Sequence, residues 1–405
     1  MGIDKMKNCK KSYCIKICIL MMLLCILLSA CDNRATVDNA NDTLFIEGNG
    51  IGKQGVLSVV SGVITYFDYE TGKGTVLCTR AQCMHELYDK DTNPNPECPA
   101  VSPDKSPIVT AFLANNNLYF ATEGHIDMET GIRATKLYKA DLDGENRVYL
   151  GEVVYGFRTF RSYVYKNYIF GLVNSIKVIS DEEGVVSSES TLQAVALNID
   201  TLEIINLSEP DEVESDLHAY VYDNKLYCTF QKYDKEAHEQ SKELRVFSLD
   251  DFSLVDRFKT TGFSNIIYLK DHMYYSYTPD GADHTQLCKR NLKTNKETVL
   301  LLIENSENVT CGLSDVTEDY MIYSLLYYDN VNPAEDRGSF AFNMKDNSVK
   351  EVDFAYSGIY ARVYKVLEDD YLLLRFFEEG KSAYRYIKTE DFINKSLDYV
   401  EVRPF

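Results

Sequence analysis

Four residues have types and spacing that can do chemistry: Cys78, Cys83, His85 and Cys98, in the order Cys-x4-Cys-x-His-x12-Cys. Three thiolates and one imidazole make a complete tetrahedral set for zinc. The spacing is not one of the common finger patterns. Two readings stand side by side. A structural metal would pin residues 78–107, an insertion without an apolar core of its own. A disulfide, Cys78–Cys98 or Cys83–Cys98, would do the same in an exported protein. The odd third cysteine favours the metal mildly. A catalytic metal needs an open coordination position, and four protein ligands leave none.

The remaining reactive side chains form no second set. Cys228, Cys288 and Cys311 fall on or beside expected strands, where buried free thiols are the ordinary outcome. The run Asp141-Leu-Asp143-Gly144-Glu145-Asn146 has the alternating oxygens of a calcium loop, but it lacks the continuation to a bidentate Glu and reads as a hairpin turn. His125, His218, His238, His272 and His284 are scattered, with no HExxH pairing. No Gly-x-Ser-x-Gly elbow and no phosphate-cradling glycine loop occurs, so no catalytic residue is assigned. Tyr320, Tyr323, Tyr327 and Tyr328 form a stripe that reads as strand core with one exposed neighbour.

The elements that must position the Cys/His set are strands. Tyr (30) and Phe (19) are abundant and Trp is absent, and flat rings favour a pleated surface. Period-2 patterning runs from Thr43 onward. The best helical stretch, residues 234–242, is short and polar. A short turn followed by an apolar-aromatic strand recurs at Leu118, Ile169, Leu226, Met273, Met321 and Leu372, at intervals of 47 to 57 residues. A strand–turn–strand hairpin recurs beside it, at 63–74, 137–150, 192–205, 244–255, 287–299, 340–352 and 384–392, with Asp, Asn, Gly or Thr in the turns. A beat near fifty residues predicts propeller blades. Quartets at 43–78, 108–151, 158–207, 217–259, 263–303, 310–354 and 359–403 predict seven four-stranded blades. The irregular first quartet leaves six or eight open, and a pair of β-sandwiches is the competing fold. Stacked blades bury faces that one sheet leaves exposed.

Net charge is −20. Residues 1–30 hold five Lys and one Asp, so the rest of the chain is near −24, with 37 Lys+Arg against 61 Asp+Glu. That field repels phosphate backbones, and nucleic-acid binding is not expected.

Residues 1–30 have a basic start and then twelve uncharged residues, 17–28. That is short of the roughly twenty needed to span a bilayer, and it fits a signal-peptide core. Leu28-Ser29-Ala30-Cys31 resembles a bacterial lipobox. The resemblance implies cleavage before Cys31 and acylation of its thiol, with acyl chains holding the protein at the membrane. Residues 31–42, DNRATVDNAND after the Cys, read as a polar tether. The domain reading is therefore signal 1–30, tether 31–42 and propeller 43–405.

The hairpin LYKADLDGENRVYL, residues 137–150, resembles the repeat of TolB-type WD40-like propellers. Lipobox, tether, Cys/His run and Tyr-rich blades together are similar to uncharacterised propeller lipoproteins of clostridia and their relatives. The resemblance implies an all-β, single-propeller protein, lipid-anchored on the outer face of a bacterial cytoplasmic membrane. Its propeller would be a binding or scaffolding module for an unknown protein or small ligand. The alternatives are a glycan- or peptide-processing hydrolase or lyase on the same scaffold, or a metal-responsive surface protein. Structural zinc is the one cofactor expected.

Overall fold

Period-2 patterning gives strands throughout the computed structural model, which describes residues 43–126, 133–157, 161–180, 186–210, 217–234, 239–259, 263–279, 281–304, 309–327, 335–352, 361–366, 371–378, 381–396 and 398–402. The chain divides after Asp38, and the architecture below concerns the second unit. The signal, Cys31 and the tether lie outside the described residues.

Apart from one pair, β1 with β10, hydrogen-bonded strands are antiparallel neighbours in chain order. β1 (Thr43–Glu47), β2 (Asn49–Gly52), β3 (Gly55–Val60), β4 (Val63–Asp68) and β5 (Lys73–Val76) precede the Cys/His segment. β6 (Ile108–Ala114), β7 (Asn117–Ile126), β8 (Arg133–Ala140) and β9 (Val148–Val153) follow it as one four-stranded sheet. Next come β10 (Ser162–Tyr165), β11 (Tyr168–Ser180), β12 (Val186–Asn198) and β13 (Ile204–Asn206). Four more four-stranded sheets complete the chain. The first is β14 (Leu217–Tyr222), β15 (Lys225–Asp234), β16 (Glu239–Ser248) and β17 (Leu254–Lys259). The second is β18 (Phe263–Leu269), β19 (His272–Tyr277), β20 (His284–Asn291) and β21 (Glu297–Glu304). The third is β22 (Val309–Val316), β23 (Tyr320–Tyr327), β24 (Glu335–Asn343) and β25 (Val349–Val352). The last is β26 (Ala361–Val366), β27 (Tyr371–Glu378), β28 (Lys381–Lys388) and β29 (Val400–Val402), with one short helix, α1 (Thr389–Ile393), between the final two strands.

The protein is an all-β β-propeller, and among the described residues it has five separate four-stranded blades, which corrects the expectation of seven. β1 is the reason. It pairs with β2 along one edge and with β10 along the other, fusing β2–β5 and β10–β13 into a single nine-stranded sheet. The expected hairpin at 384–392 is also absent. Thr389 turns the chain into α1, whose Phe392 and Ile393 are buried against β25, β27 and β28. The polar stretch 234–242 ends β15 and begins β16, with residues 235–238 and His238 outside the described residues.

Face-to-face packing of successive sheets makes the core. Phe112 and Tyr119 of the β6–β9 sheet stack at 5.4 Å, Phe112 meets Phe157 at 5.9 Å, and the group packs on Ile169, Val195 and Leu197. Similar apolar clusters join β11–β12 to β14–β16, β15–β16 to β18–β20, β19–β20 to β22–β24, and β23–β25 to β27–β28. Leu373, Tyr386 and Val402 of the last sheet then pack on Phe45, Ile51, Val56 and Phe67 of the first five strands. In the β6–β9 sheet burial falls from first strand to last: every residue of β6 is buried, whereas β9 carries exposed Val148 and Tyr149.

The hairpin turns repeat in detail. Asn198, Ser248, Asn291 and Asn343 each accept a backbone bond from the residue four further on, which has positive φ: Leu202, Phe252, Asn295 and Asn347. The inner turns use Asn115-Asn116 and Asp223-Asn224 with both central residues at positive φ, the twist that suits a two-residue hairpin.

Candidate metal centre

Ile64, on β4, fixes both ends of the insertion. Its carbonyl accepts from the Leu77 N–H at 3.0 Å, just before Cys78. Its own N–H donates to the Ala100 carbonyl at 2.8 Å, just after Cys98, and Val63 bridges to Val101. Two cysteines twenty residues apart are thereby brought to one place. Between them the chain doubles back through Gln82 and His85, both at positive φ. The loop beyond His85 is closed by Asp89, whose carboxylate accepts from the Asp91 and Thr92 N–H groups, and by Asn93, whose amide donates to the Glu86 and Leu87 carbonyls.

The result gathers all four residues singled out in the sequence. The ligand atoms of Cys78, Cys83, His85 and Cys98 all lie within 4.8 Å of one another. His85 Nδ1 is 3.3 Å from Cys98 Sγ. Tetrahedral zinc with Zn–S bonds of about 2.3 Å places its sulfurs ~3.8 Å apart, so the donors need close in only slightly. The donor set and the spacing fit that metal. Cys98 is buried and the other three are half-buried. The cysteines are free thiols here. Burial pushes the Cys98 thiol up to about 12. Burial also raises Cys78, whereas the His85 backbone N–H, donating to the sulfur, draws Cys83 below the ordinary thiol range. A divalent cation in their midst would favour all three thiolates.

Two arginines that sequence reasoning missed complete the surroundings. Arg80, between the first two ligands, donates from Nε and Nη2 to Glu145 at 2.8 and 2.9 Å. Arg147 donates to the Val101 and Pro96 carbonyls at 2.9 and 3.2 Å, on either side of Cys98. Glu145 and Arg147 both sit on the turn between β8 and β9. Three thiolates around a divalent cation carry one net negative charge, and two guanidinium groups close by offset it. The only signal in the sequence is an arginine lying between ligands.

The other candidates settle simply. Cys228, Cys288 and Cys311 are buried thiols, with Cys288 and Cys311 raised by burial to about 12. In the turn read against calcium, Asp141 accepts from Asn146, Asp143 accepts from the Glu145 N–H, and Glu145 faces Arg80, so the oxygens serve the hairpin. His125 pairs with Glu152, His218 with Tyr163, His272 with Asp271 and His284 with Asp283. Tyr323 is core and Tyr320 half-buried, while the side chains of Tyr327 and Tyr328 lie outside the described residues. Among the described residues no helix is long and apolar enough to cross a membrane.

No protein-family model matches this sequence, and no curated protein matches it. Among solved structures, the fold is similar to the acylaminoacyl peptidase of Pyrococcus horikoshii at 12% identity and TM-score 0.42, covering 69% of this chain and 44% of that one. This chain thus spans under half the length of that peptidase. It is similar to the oligogalacturonate lyase of Vibrio parahaemolyticus at 12% identity and TM-score 0.44, covering 86% of this chain and 90% of that one. TolB from Acinetobacter baumannii is similar at 11% identity and TM-score 0.35, covering 67% of this chain and 66% of that one. These are likenesses of fold alone.

Proposed function

We propose that this chain is an exported lipoprotein of the clostridial propeller type, anchored through Cys31 to the outer face of a bacterial cytoplasmic membrane. Its propeller is a rigid binding module for a protein or small ligand, and zinc at Cys78, Cys83, His85 and Cys98 is structural. The observation that carries this reading is the closed donor set. Four side chains supply four tetrahedral positions, and such a site stabilises a fold instead of activating water. Its neighbours point the same way, because Ile64, Arg80 and Arg147 spend their bonds on holding the insertion between β4 and the β8–β9 turn. The basic start, uncharged core and Leu-Ser-Ala-Cys run support the anchor.

The test is fractionation of the expressed full chain with intact mass analysis. The wild type should partition with membranes and carry diacylglycerol mass on Cys31, and Cys31→Ala should leave the membrane fraction. Recovery of the uncleaved chain from the cytosol with Cys31 unmodified would end the proposal. Cross-linking on intact cells, comparing wild type with a chain whose metal ligands are replaced by serine, then reports the bound partner.

A further inference from the structure

A cavity of about 240 Å³ opens on the β18–β21 blade, lined by His272, Lys289, Asn291, Thr294, Lys296 and Thr298. Strand register assembles it. Tyr274, Lys289 and Thr298 stand in one cross-strand row, and His272 pairs with Asn291 in the next. The Asn291 N–H donates to the Lys296 carbonyl across the turn, which brings Lys296 to the same rim.

Every lining side chain carries a hydrogen-bond donor: two ammonium groups, an imidazole, an amide and two hydroxyls. Among the described residues no carboxylate lines the cavity, in a chain with 62 Asp+Glu against 42 Lys+Arg. Lys136, Lys139 and Lys345 each face a carboxylate. Lys289 and Lys296 have no such partner among the described residues, and the Lys289 ammonium lies 5.6 Å from the Tyr274 ring centre. The wall is fixed from behind. Asp271 holds His272 Nδ1 at 2.6 Å and accepts from the Asn291 amide at 3.1 Å. Asn291 Oδ1 in turn accepts from the Lys293 and Thr294 N–H groups and the Thr294 hydroxyl.

We propose that this cavity binds a small tetrahedral oxyanion, a phosphate or sulfate, free or at the end of a larger ligand. Such a group offers its oxygens to the Lys289 and Lys296 ammonium groups and the Thr298 hydroxyl, and lysine meets it as a point charge, while the His272, Asn291 and Thr294 donors are engaged in building the wall. The net negative charge of the chain opposes anions here as elsewhere, so the two lysines must supply the local attraction. The inference does not rest on the metal centre.

Calorimetry on the full chain tests it, with sodium phosphate, sodium sulfate and glycerol 3-phosphate titrated against a sodium chloride control of equal ionic strength. Saturable binding of the oxyanions above the chloride control is expected. Lys289→Gln and Lys296→Gln should each weaken it about tenfold, the scale of one charge-assisted contact. Lys289→Arg should retain most of it, and Lys225→Gln, on an exposed lysine of another blade, should leave it unchanged. Tighter binding of glycerol 3-phosphate than of phosphate marks the end of a larger ligand, and the reverse order marks a free anion. Binding no greater than in chloride, or equally tight in Lys289→Gln and Lys296→Gln, overturns the proposal.

Discussion

Arg80 grips Glu145 through two parallel hydrogen bonds, at 2.8 and 2.9 Å, across sixty-five residues of chain. The arginine stands between two cysteines of the Cys/His cluster, and the glutamate stands on the turn between β8 and β9. The candidate metal centre is thereby tied to a blade that supplies none of its ligands. Arg80→Ala should lower zinc affinity about tenfold, the low end for a group that supports a ligand shell from outside. Glu145→Ala should do nearly the same, and the double variant should add little. Competition with a chromogenic chelator measures all three.

Gly144, at the tip of the same turn, has φ +79°, and a Cβ there would meet the Pro99 carbonyl oxygen at 2.9 Å. Gly144→Ala should therefore cost about 1–2 kcal/mol through left-handed strain alone, with more from the close approach. Urea unfolding should show a lower midpoint. Increased hydrogen exchange should appear first in residues 96–101 and 141–147.

Glu47 closes the sheets on one another. Its carboxylate accepts from Arg161 at 2.7 Å, just before β10, and from Arg375 at 3.2 Å, on β27. Arg161 also lies over the Phe45 ring at 4.8 Å. Glu47→Ala removes both ion pairs at once, and should cost about 1–2 kcal/mol. Thermal unfolding of the variant against Glu47→Asp measures it, with Asp retaining part of the stability.

Asp104 and Lys136 join the insertion to β8 at 2.8 Å. Burial alone would raise the Asp104 carboxyl, but Lys136 and the Ser106 N–H outweigh it and hold the group below its usual range. A carboxylate depressed in the folded state contributes stability above its unfolded pKa and loses it as pH falls through the folded one. Asp104→Asn should thus lower stability by about 0.5 kcal/mol at neutral pH, discounted for its partial exposure. The difference from wild type should vanish in acid below the ordinary carboxylate range. Denaturant melts across pH check both points.

The strand repeat was legible because period-2 patterning and turn residues recur at Leu118, Ile169, Leu226, Met273, Met321 and Leu372. The blade count was not. Thr43–Glu47 reads as one more apolar strand, and nothing local says that it pairs on both edges. The hairpin expected at 384–392 failed because burial of Phe392 and Ile393 serves a helix as well as a strand. The Cys/His set was legible because ligand chemistry resides in residue type. Its arginine supports and the Lys289–Lys296 cavity depend on register and on contacts far apart in the chain, which spacing does not encode.

Zinc content and free-thiol count, taken together on the full chain purified without reductant or chelator, test the structural centre most directly. One zinc per chain and no disulfide are expected, with release of that zinc and unfolding of residues 78–107 when Cys98 is changed to serine. A disulfide joining Cys98 to Cys78 or Cys83, with no bound metal, would contradict it.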